Sequence, residues 1–285
     1  MNLEKIPLAD RAKLTSQFPV LLIGQAGVGK TRALENLSTE DKKRTLVINI
    51  DTKACGTGDS GEFAAVFSVS TSRDLLEEQL AALPADAVEY KKHFEKLLAT
   101  SYFLDDPESI DRIVGHIAKA TFSPKIDRIV LDTFKQLDVF CEEWGQKNAP
   151  DSRAGWGMYG TSLQRVMQAI KESSLHGFKF SYVYGHHPTI PAQSYDSTPK
   201  RMPDVKGNIM KGEVESGFNT VIYTHRDLDG KIFFESNVNN PNDTSRNKLV
   251  DSAFKFERTS LNDIELYLNG LATIKDFKLI PKKTK

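Results

Sequence analysis

Short apolar runs alternate along the chain with segments in which apolar residues recur every three or four positions. Runs of the first kind are typical of buried strands, and the second spacing is typical of helices that bury one face. The predicted strands lie at residues 18–23, 45–51, 64–70, 129–131 and 178–187. The predicted helices lie at residues 31–38, 72–83 and 90–98, from Asp106-Pro107 to about residue 117, from residue 133 to about Gly145, and after the capping-box pattern Thr161-x-x-Gln164. Strands that alternate with helices favour an α/β fold with a mainly parallel sheet.

After residue 218 the pattern changes and strands dominate. The stretch FNTVIYTHRDLDGKIFFESN predicts two strands joined by a turn at Asp229-Gly230, because Asp-Gly favours the tight turns of hairpins. AFKFERTS and DIELYLNG predict further edge strands. The sequence has no internal repeat and no long low-complexity linker. We therefore expect a single domain over residues 1–285, with a core at about 18–258 and C-terminal strands and a basic tail at 259–285.

Charge and cysteine content narrow the function classes. The 38 Lys and Arg residues balance the 38 Asp and Glu residues, which excludes a uniformly basic nucleic-acid binder but allows a local basic groove. Two cysteines are too few for a disulfide framework and fit a reducing compartment. No apolar stretch approaches the roughly 20 residues of a membrane span, and the N-terminus lacks a signal-peptide core. We expect a cytoplasmic protein without a membrane partner.

Glycine and lysine are concentrated directly after the first predicted strand. Residues 24–31 read GQAGVGKT and fit the phosphate-binding loop pattern G-x-x-x-x-G-K-[ST]. Glycines allow the curvature that turns consecutive backbone N–H groups toward phosphate oxygens. Lys30 brings a positive charge to the β- and γ-phosphates, and the Thr31 hydroxyl can ligate Mg²⁺. The residues predicted to bind the nucleotide are Gly24, Gln25, Ala26, Gly27, Val28, Gly29, Lys30, Thr31 and Arg32. The alternative is a glycine-rich turn that binds no ligand.

An acidic residue ends a second buried strand. The run Ile129-Val130-Leu131 is followed by Asp132. In an open α/β sheet the carboxyl end of a parallel strand lies beside the phosphate loop, and a carboxylate there can hold Mg²⁺, usually through water. We predict that Thr31 and Asp132 are the metal-binding residues. The alternative is that Asp132 caps the next helix.

The order of these segments resembles the RecA/RadA-type P-loop ATPases. It is most similar to the phage-encoded minimal RecA-like ATPases of recombination and single-strand annealing. The resemblance covers about residues 18–258 and rests on GQAGVGKT, IVLDT, VYGHHP, MPDVKGNIMKGEVESGFNTVIY and Arg246-Asn247-Lys248. It implies a RecA-like core that uses ATP and Mg²⁺ and acts on single-stranded DNA. It also implies a homo-oligomer, ring or filament, with shared ATP sites, a single-strand-binding protein as helper, and the host cytoplasm as location.

The resemblance further implies two roles at the ends of predicted strands. His186, or its neighbour His187, stands where the family keeps a polar nucleotide sensor, although many members have Gln there. The alternative for His186 is a polar strand end exposed to solvent. Asp51 is the acid closest to the place where the family carries its water-activating glutamate, with Lys53 near the expected glutamate position. Asp51 is therefore the predicted base, and the alternative is a carboxylate that ends the strand or aids magnesium binding.

Arg246 and Lys248 resemble a basic element that reaches into the ATP site of the neighbouring subunit. A positive charge there stabilises the transferring γ-phosphoryl group. The alternative is a solvated basic turn. The predicted catalytic residues are Lys30, Asp51, Asp132, His186, Arg246 and Lys248.

Two long segments lie where the family's DNA-binding loops would be. Residues 143–160 combine Lys147 and Arg153 with three aromatic residues, Trp144, Trp156 and Tyr159. Residues 188–212 contain Lys200, Arg201, Lys206 and Lys211. Basic side chains can follow a phosphate backbone while aromatic rings stack on unpaired bases, so we predict DNA contact at both segments. The alternative is that both pack on the core.

Other functions share the phosphate loop. A P-loop small-molecule kinase would normally add an arginine-bearing lid and an acceptor pocket, and neither is identified in the sequence. An AAA+ replication loader or motor would be expected to end in a helical domain with a second sensor arginine, whereas residues 218–270 predict strands. A nucleotide-gated protein that anneals DNA with little turnover differs from a recombinase only in rates.

Overall fold

The computed structural model describes residues 7–50, 63–70, 73–185, 189–190, 200–201, 217–226, 228–236, 254–257 and 260–268. The strands in these ranges are β1 Val20–Ile23, β2 Thr45–Asn49, β3 Ala65–Ser70, β4 Ser101–Phe103, β5 Arg128–Asp132, β6 Phe180–Gly185, β7 Thr189–Ile190, β8 Lys200–Arg201, β9 Thr220–Arg226, β10 Ile232–Ser236 and β11 Phe254–Glu257. The helices are α1 Leu8–Thr15, α2 Lys30–Glu35, α3 Thr39–Lys42, α4 Arg73–Ala82, α5 Val88–Thr100, α6 Ser109–Phe122, α7 Phe134–Asn148, α8 Ser152–His176 and α9 Leu261–Leu268.

One large sheet organises the described part of the chain. Its strand order is β11-β10-β9-β1-β6-β5-β2-β3-β4. Every neighbouring pair from β9 to β4 is parallel, and β10 and β11 extend the sheet in antiparallel fashion. A single strand, β6, separates β1 from β5. The predicted α/β fold is confirmed: a RecA-like P-loop core with a mainly parallel sheet and a strand-rich C-terminal part.

Apolar residues cover both faces of this sheet. Leu21 and Ile23 of β1 belong to a cluster that includes residues of α6, α7 and α8. Val20 and Leu22 belong to a second cluster that includes residues of α2 and α9. Successive strand residues point to opposite faces, so the sheet is the middle of three layers. Because parallel strands share one direction, their carboxyl ends meet at one edge, where the phosphate loop begins.

The predicted C-terminal hairpin is confirmed. β9 and β10 pair in antiparallel register, with Ile232 opposite Arg226. Gly230, in the connecting turn, has a φ of 80°, a left-handed conformation that glycine adopts at little cost. The predicted strand AFKFERTS is present as β11, which is one of the two edge strands of the sheet in the described part of the chain.

Residues 143–160 are not a long loop, and this prediction is wrong. α7 continues to Asn148, and α8 begins at Ser152 after a short connection. Two glycines of this segment, Gly145 and Gly155, lie at the contact between the two helices. A Cβ on Gly145 would lie 2.7 Å from the backbone oxygen of Gly155, so glycine is needed where the helix backbones approach each other.

Two predicted helix starts are also wrong. α6 begins at Ser109 with Glu108 as its N-cap residue, so Pro107 lies before the helix and not at its first position. Thr161 and Gln164 lie inside α8 and do not form a capping box at its start. α8 is instead capped by Asp151, whose side chain accepts a hydrogen bond of 2.8 Å from the backbone N–H of Ala154.

The segment DIELYLNG is not an edge strand. Residues 261–268 form the helix α9, which packs on the sheet. Among the described residues, no helix is both long enough and apolar enough to cross a membrane.

Candidate nucleotide-binding site

The loop from Gly24 to Gly29 joins the carboxyl end of β1 to the start of α2. Gly27 and Gly29 have φ values of 76° and 95°, which side chains other than glycine rarely adopt. The loop begins between two strands, because the backbone N–H of Gly24 donates to the carbonyl oxygen of Gly185 at the end of β6, at 3.2 Å. The sequence context predicted for a phosphate loop is therefore present: strand, curved glycine-rich turn, helix.

Lys30 is held against this loop. Its Nζ donates to the carbonyl oxygens of Gly24 at 2.7 Å and Gln25 at 2.9 Å, and its side chain is buried. A buried ammonium group requires such partners, since an unpaired charge is costly to remove from water. Gln25, Ala26 and Gly27 are exposed, so the outer rim of the loop is accessible.

Thr31 and Asp132 meet beneath the loop, as predicted. The Thr31 hydroxyl donates to Oδ2 of Asp132 at 3.0 Å, across a sequence separation of 101 residues. Asp132 is the last residue of β5 and is 1% exposed. Asp132 is not the cap of the next helix. The N-cap of α7 is Thr133, whose side-chain oxygen accepts a hydrogen bond from the backbone N–H of Gln136. Asp132 is thereby directed to the phosphate loop.

The oxygen donors at this point fit Mg²⁺. A hydroxyl and a carboxylate are hard oxygen ligands, and Mg²⁺ is usually bound by one or two protein groups together with waters and substrate phosphates. Within the described ranges no group of three or more His, Cys, Asp or Glu side chains is arranged to hold a metal ion by itself. Thr31 and Asp132 can thus hold Mg²⁺ together with a bound triphosphate, which supplies the remaining ligands.

Four predicted catalytic residues lie outside the described residues: Asp51, His186, Arg246 and Lys248. The same holds for His187, Lys206 and Lys211. Of the predicted catalytic set, the described structure places Lys30 and Asp132, and it brings both to the phosphate loop. The roles assigned to the others stay predictions.

Two of the three aromatic residues in segment 143–160, which was predicted to contact DNA, are buried in the core. Trp144 is buried, and its Nε1 donates to the backbone oxygen of Asp106 at 2.8 Å. Tyr159 is buried, and its hydroxyl donates to Asp138 at 2.5 Å. Only Trp156 of the three is exposed, at 48%. Base stacking on Trp144 or Tyr159 would require α7 and α8 to separate, so this part of the prediction is wrong.

The sequence did not lead us to predict Thr133 as the helix cap or the contacts that Thr224 of β9 and Ile232 of β10 make with the loop. A signal for the first was present, since Thr133-x-x-Gln136 is a capping-box pattern. No short motif signals the second, because Thr224 and Ile232 reach the loop only through the strand order of the sheet.

The strand order, the curved loop and the Thr31–Asp132 pair define a P-loop NTPase of RecA-like fold. The chain belongs to a family of this class, the AAA domain family AAA_24, whose model matches residues 17–232. A comparison with curated proteins finds no match. Among solved structures, the chain is similar to a KaiC-like protein of the hyperthermophilic archaeon Pyrococcus horikoshii OT3, with 15% sequence identity, a TM-score of 0.38 and coverage of 84% of each chain.

Proposed function

We propose that this chain is an ATP- and Mg²⁺-dependent ATPase, encoded by a phage, that acts on single-stranded DNA in recombination, annealing or repair. The observation that carries the ATPase part is the hydrogen bond between Thr31 and Asp132 beneath the phosphate loop. The DNA part is supported by the sequence resemblance to RecA-like recombination ATPases and by the basic residues of segment 188–212.

Binding of the triphosphate falls to the loop. Its backbone N–H groups are expected to contact the phosphate oxygens, and the positive φ values of Gly27 and Gly29 provide the curvature that this requires. Lys30 supplies the positive charge that the β- and γ-phosphates need. Because its Nζ bonds to two loop carbonyls, the ammonium is already positioned at the loop.

Thr31 and Asp132 would hold Mg²⁺ beside the phosphates. When bound, the ion neutralises negative charge that builds up on the phosphate oxygens as the terminal bond breaks. Asp132 is fixed at the strand end by the sheet, and Thr31 is fixed by α2. Their relative position therefore depends on the fold and not on a flexible loop.

The remaining roles complete the proposed reaction. Asp51 accepts a proton from the attacking water, and His186 senses the γ-phosphate and relays its presence to the segment that follows. Arg246 and Lys248 come from the neighbouring subunit, so that hydrolysis depends on a homo-oligomer assembled on DNA. A single-strand-binding protein would act as helper, and the site of action would be the host cytoplasm.

Turnover of ATP with and without single-stranded DNA tests the proposal. We expect Mg²⁺-dependent release of inorganic phosphate that single-stranded DNA stimulates and that Lys30→Ala abolishes. Phosphate release needs no acceptor, which separates an ATPase from a small-molecule kinase. A wild-type protein that binds ATP but whose turnover is indifferent to DNA would contradict the DNA part of the proposal and leave the ATPase part intact.

Metal binding has its own test. Asp132→Asn keeps the size of the side chain and removes its charge, so we expect an affinity for Mg²⁺ in the presence of ATP that is about 10–100-fold weaker. The Mg²⁺ concentration for half-maximal turnover measures this effect. Asp111→Asn, on the exposed face of α6, is the matched control. Equal Mg²⁺ dependence of Asp132→Asn and the wild type would contradict the assignment.

DNA contact is tested at β8, which consists of Lys200 and Arg201 and pairs with β7. If both side chains contact phosphates of a single strand, Lys200→Ala/Arg201→Ala should reduce the slope of log affinity against log salt by about 1.4. Lys91→Ala/Lys92→Ala on α5 is the control with the same change of charge. An unchanged affinity and slope would show that these two residues do not bind DNA.

A second candidate function is an AAA+ replication loader or motor. The observation that favours it is the match to an AAA domain family over residues 17–232. Directional movement along DNA, or delivery of a partner protein to it, would support this candidate. Annealing or strand exchange of complementary oligonucleotides would support the proposal above.

A further inference from the structure

The phosphate loop is packed against the hairpin formed by β9 and β10. β9 runs parallel to β1, with Tyr223 in register with Ile23, so Thr224 follows at the level of Gly24. A Cβ on Gly24 would lie 2.6 Å from the backbone oxygen of Thr224 and 2.6 Å from Cγ2 of Val28. The start of the loop is therefore packed closely against both the hairpin and the loop's own Val28.

The end of the loop meets the same hairpin through one side chain. Cδ1 of Ile232 stands 2.3 Å from the position that a Cβ on Gly29 would take, and Cγ1 stands 3.2 Å from it. Ile232 is 5% exposed, yet it belongs to neither of the two apolar clusters that the described residues form on the faces of the sheet. Its Cδ1, Cγ1 and Cγ2 atoms all lie within 4 Å of the position that a Cβ on Gly29 would take.

This contact matters because the other contacts that hold the loop, from Gly185 and Lys30, are made at its start. Glycine loses more conformational freedom on ordering than any other residue, and the loop contains Gly24, Gly27 and Gly29. A loop that must be ordered when its ligand arrives binds more weakly than one that is ordered beforehand. A rigid strand that packs on the loop reduces that penalty.

We propose that Ile232 is a positioning residue of the ATP site, which holds Gly29 and the end of the phosphate loop in the curved conformation before the triphosphate binds. The inference rests on the proposed binding of ATP at this loop. It assigns to the β9–β10 hairpin a part in ATP affinity, although the hairpin carries none of the residues of the phosphate-loop motif.

The test is the affinity for a fluorescent ATP analogue in the presence of Mg²⁺, measured by equilibrium titration. If Ile232→Ala leaves the loop curved only about one-tenth as often as in the wild type, the dissociation constant rises about tenfold. Ile232→Val removes Cδ1, the atom nearest the position of a Cβ on Gly29, and should raise the dissociation constant by about two- to threefold. Ile232→Leu, which conserves volume, should stay within about twofold of the wild type.

The matched controls are Ile117→Val and Ile117→Ala on α6, which are equally conservative and lie in the core on one face of the sheet. They lose stability as any core truncation does, but should bind the analogue within about twofold of the wild type. Thermal unfolding gives the folded fraction of each variant, and the stoichiometry of analogue binding gives the fraction able to bind. Each dissociation constant is corrected for these fractions. Hydrogen exchange at residues 24–29 should be faster in Ile232→Ala and unchanged in the Ile117 variants.

Kinetics separate positioning from a purely structural role. Ile232→Ala should raise KM for ATP and leave kcat at saturating ATP within about twofold, because the same bound state is reached at a greater cost. An unchanged dissociation constant after correction, or a loss confined to kcat, would overturn the inference. A wild-type protein that fails to bind ATP would overturn the proposed function itself, which is a different result from unaltered binding by Ile232→Ala.

Discussion

At the scale of single residues, Gly24 has little room for a side chain. The nearest atoms to an added Cβ include the backbone oxygen of Thr224 at 2.6 Å, and a backbone atom of a central strand cannot move aside as a side chain can. We expect Gly24→Ala to reduce the free energy of unfolding by about 1–3 kcal/mol and to weaken ATP binding. Urea unfolding and equilibrium titration measure the two effects.

Gly157 provides the control for this substitution. It lies in α8, and a Cβ there would meet no other atom within 4 Å. Gly157→Ala should raise the free energy of unfolding by up to about 1 kcal/mol, the difference in helix propensity between the two residues. If Gly24→Ala were as stable as Gly157→Ala, the tight packing of the loop would be wrong.

His116 links stability to pH. Burial, followed by the nearby charges of Lys119 and Arg112, lowers the pKa of His116 from 6.5 to about 4. Nδ1 of His116 lies 3.0 Å from the hydroxyl of Tyr102. Burial raises the pKa of that phenol, so the phenol stays protonated and can donate a hydrogen bond to Nδ1 of the neutral imidazole when that nitrogen carries no proton.

The sign of the effect follows from the direction of the shift. Below pH 6.5 the unfolded chain binds a proton at His116 that the folded protein does not yet bind. The contribution of neutral His116 to the free energy of unfolding is therefore fully present above pH 6.5 and is lost as the pH falls from 6.5 to 4. Because His116 is partly exposed, we expect a loss of roughly 1 kcal/mol between pH 7.5 and pH 5.0. His116→Gln should remove this part of the loss, as urea unfolding at the two pH values would show. An equal loss in variant and wild type would contradict the assignment.

At the scale of elements, the site was easier to predict from sequence than the helices around it. The phosphate loop is contiguous in sequence, and phosphate binding there requires particular residue types: glycine for curvature, lysine for charge and threonine for the metal ion. Asp132 could be added because parallel strands end at a common edge. The loop's contact with Ile232 could not be predicted, since it depends on the place of β9 beside β1 in the sheet.

The loop predicted at residues 143–160 and the strand predicted at DIELYLNG are wrong for a common physical reason. Gly145 and Gly155 allow two helices to approach closely, whereas glycine is also common in loops, and local sequence does not distinguish these uses. In DIELYLNG the apolar residues at 264, 266 and 268 alternate like those of a strand. The helix α9 instead buries Glu265 and leaves Leu266 39% exposed, because the buried carboxylate has a partner that is distant in sequence.

That partner is Arg128, at the start of β5. Its Nε and Nη2 each donate to Glu265 at 2.6 Å, and the hydroxyl of Tyr182 donates to the same carboxylate at 3.0 Å. Burial by itself lowers the pKa of Arg128, but the Glu265 carboxylate outweighs this effect and the pKa is raised. The ion pair between Arg128 of β5 and Glu265 thus links α9 to the sheet.

Glu265→Leu should therefore destabilise the protein strongly. It leaves the Arg128 charge buried without its carboxylate, at a cost of about 3–5 kcal/mol in the free energy of unfolding. The double variant Arg128→Met/Glu265→Leu removes both charges and should recover most of that loss. Urea unfolding of the wild type and the two variants tests the pair. A double variant no more stable than Glu265→Leu would show that the charge pair is not the cause.

At the scale of the whole molecule, the proposed sharing of ATP sites between subunits makes a quantitative prediction. Lys30→Ala removes the lysine of a subunit's own loop, and Arg246→Ala removes the arginine proposed to reach into the neighbour's site. Each variant alone should be inactive, because an arginine that stabilises the transferring phosphoryl group is worth about 10³–10⁵ in rate. In an equal mixture, about a quarter of the sites combine an intact loop with an intact neighbouring arginine, if subunits assemble at random.

We therefore expect the equal mixture to recover about a quarter of the wild-type turnover. Because assembly depends on subunit concentration, the mixture should be measured at a concentration at which the wild type is fully assembled on single-stranded DNA. The control is Arg246→Ala mixed with the double variant Lys30→Ala/Arg246→Ala, which contains no intact arginine and should stay inactive. Fluorescent labels on the two variants report whether their subunits assemble together. Co-assembly without recovered turnover would mean that Arg246 serves its own subunit or no ATP site at all. Recovery in the first mixture alone can arise only if an intact loop and an intact arginine meet across a subunit boundary.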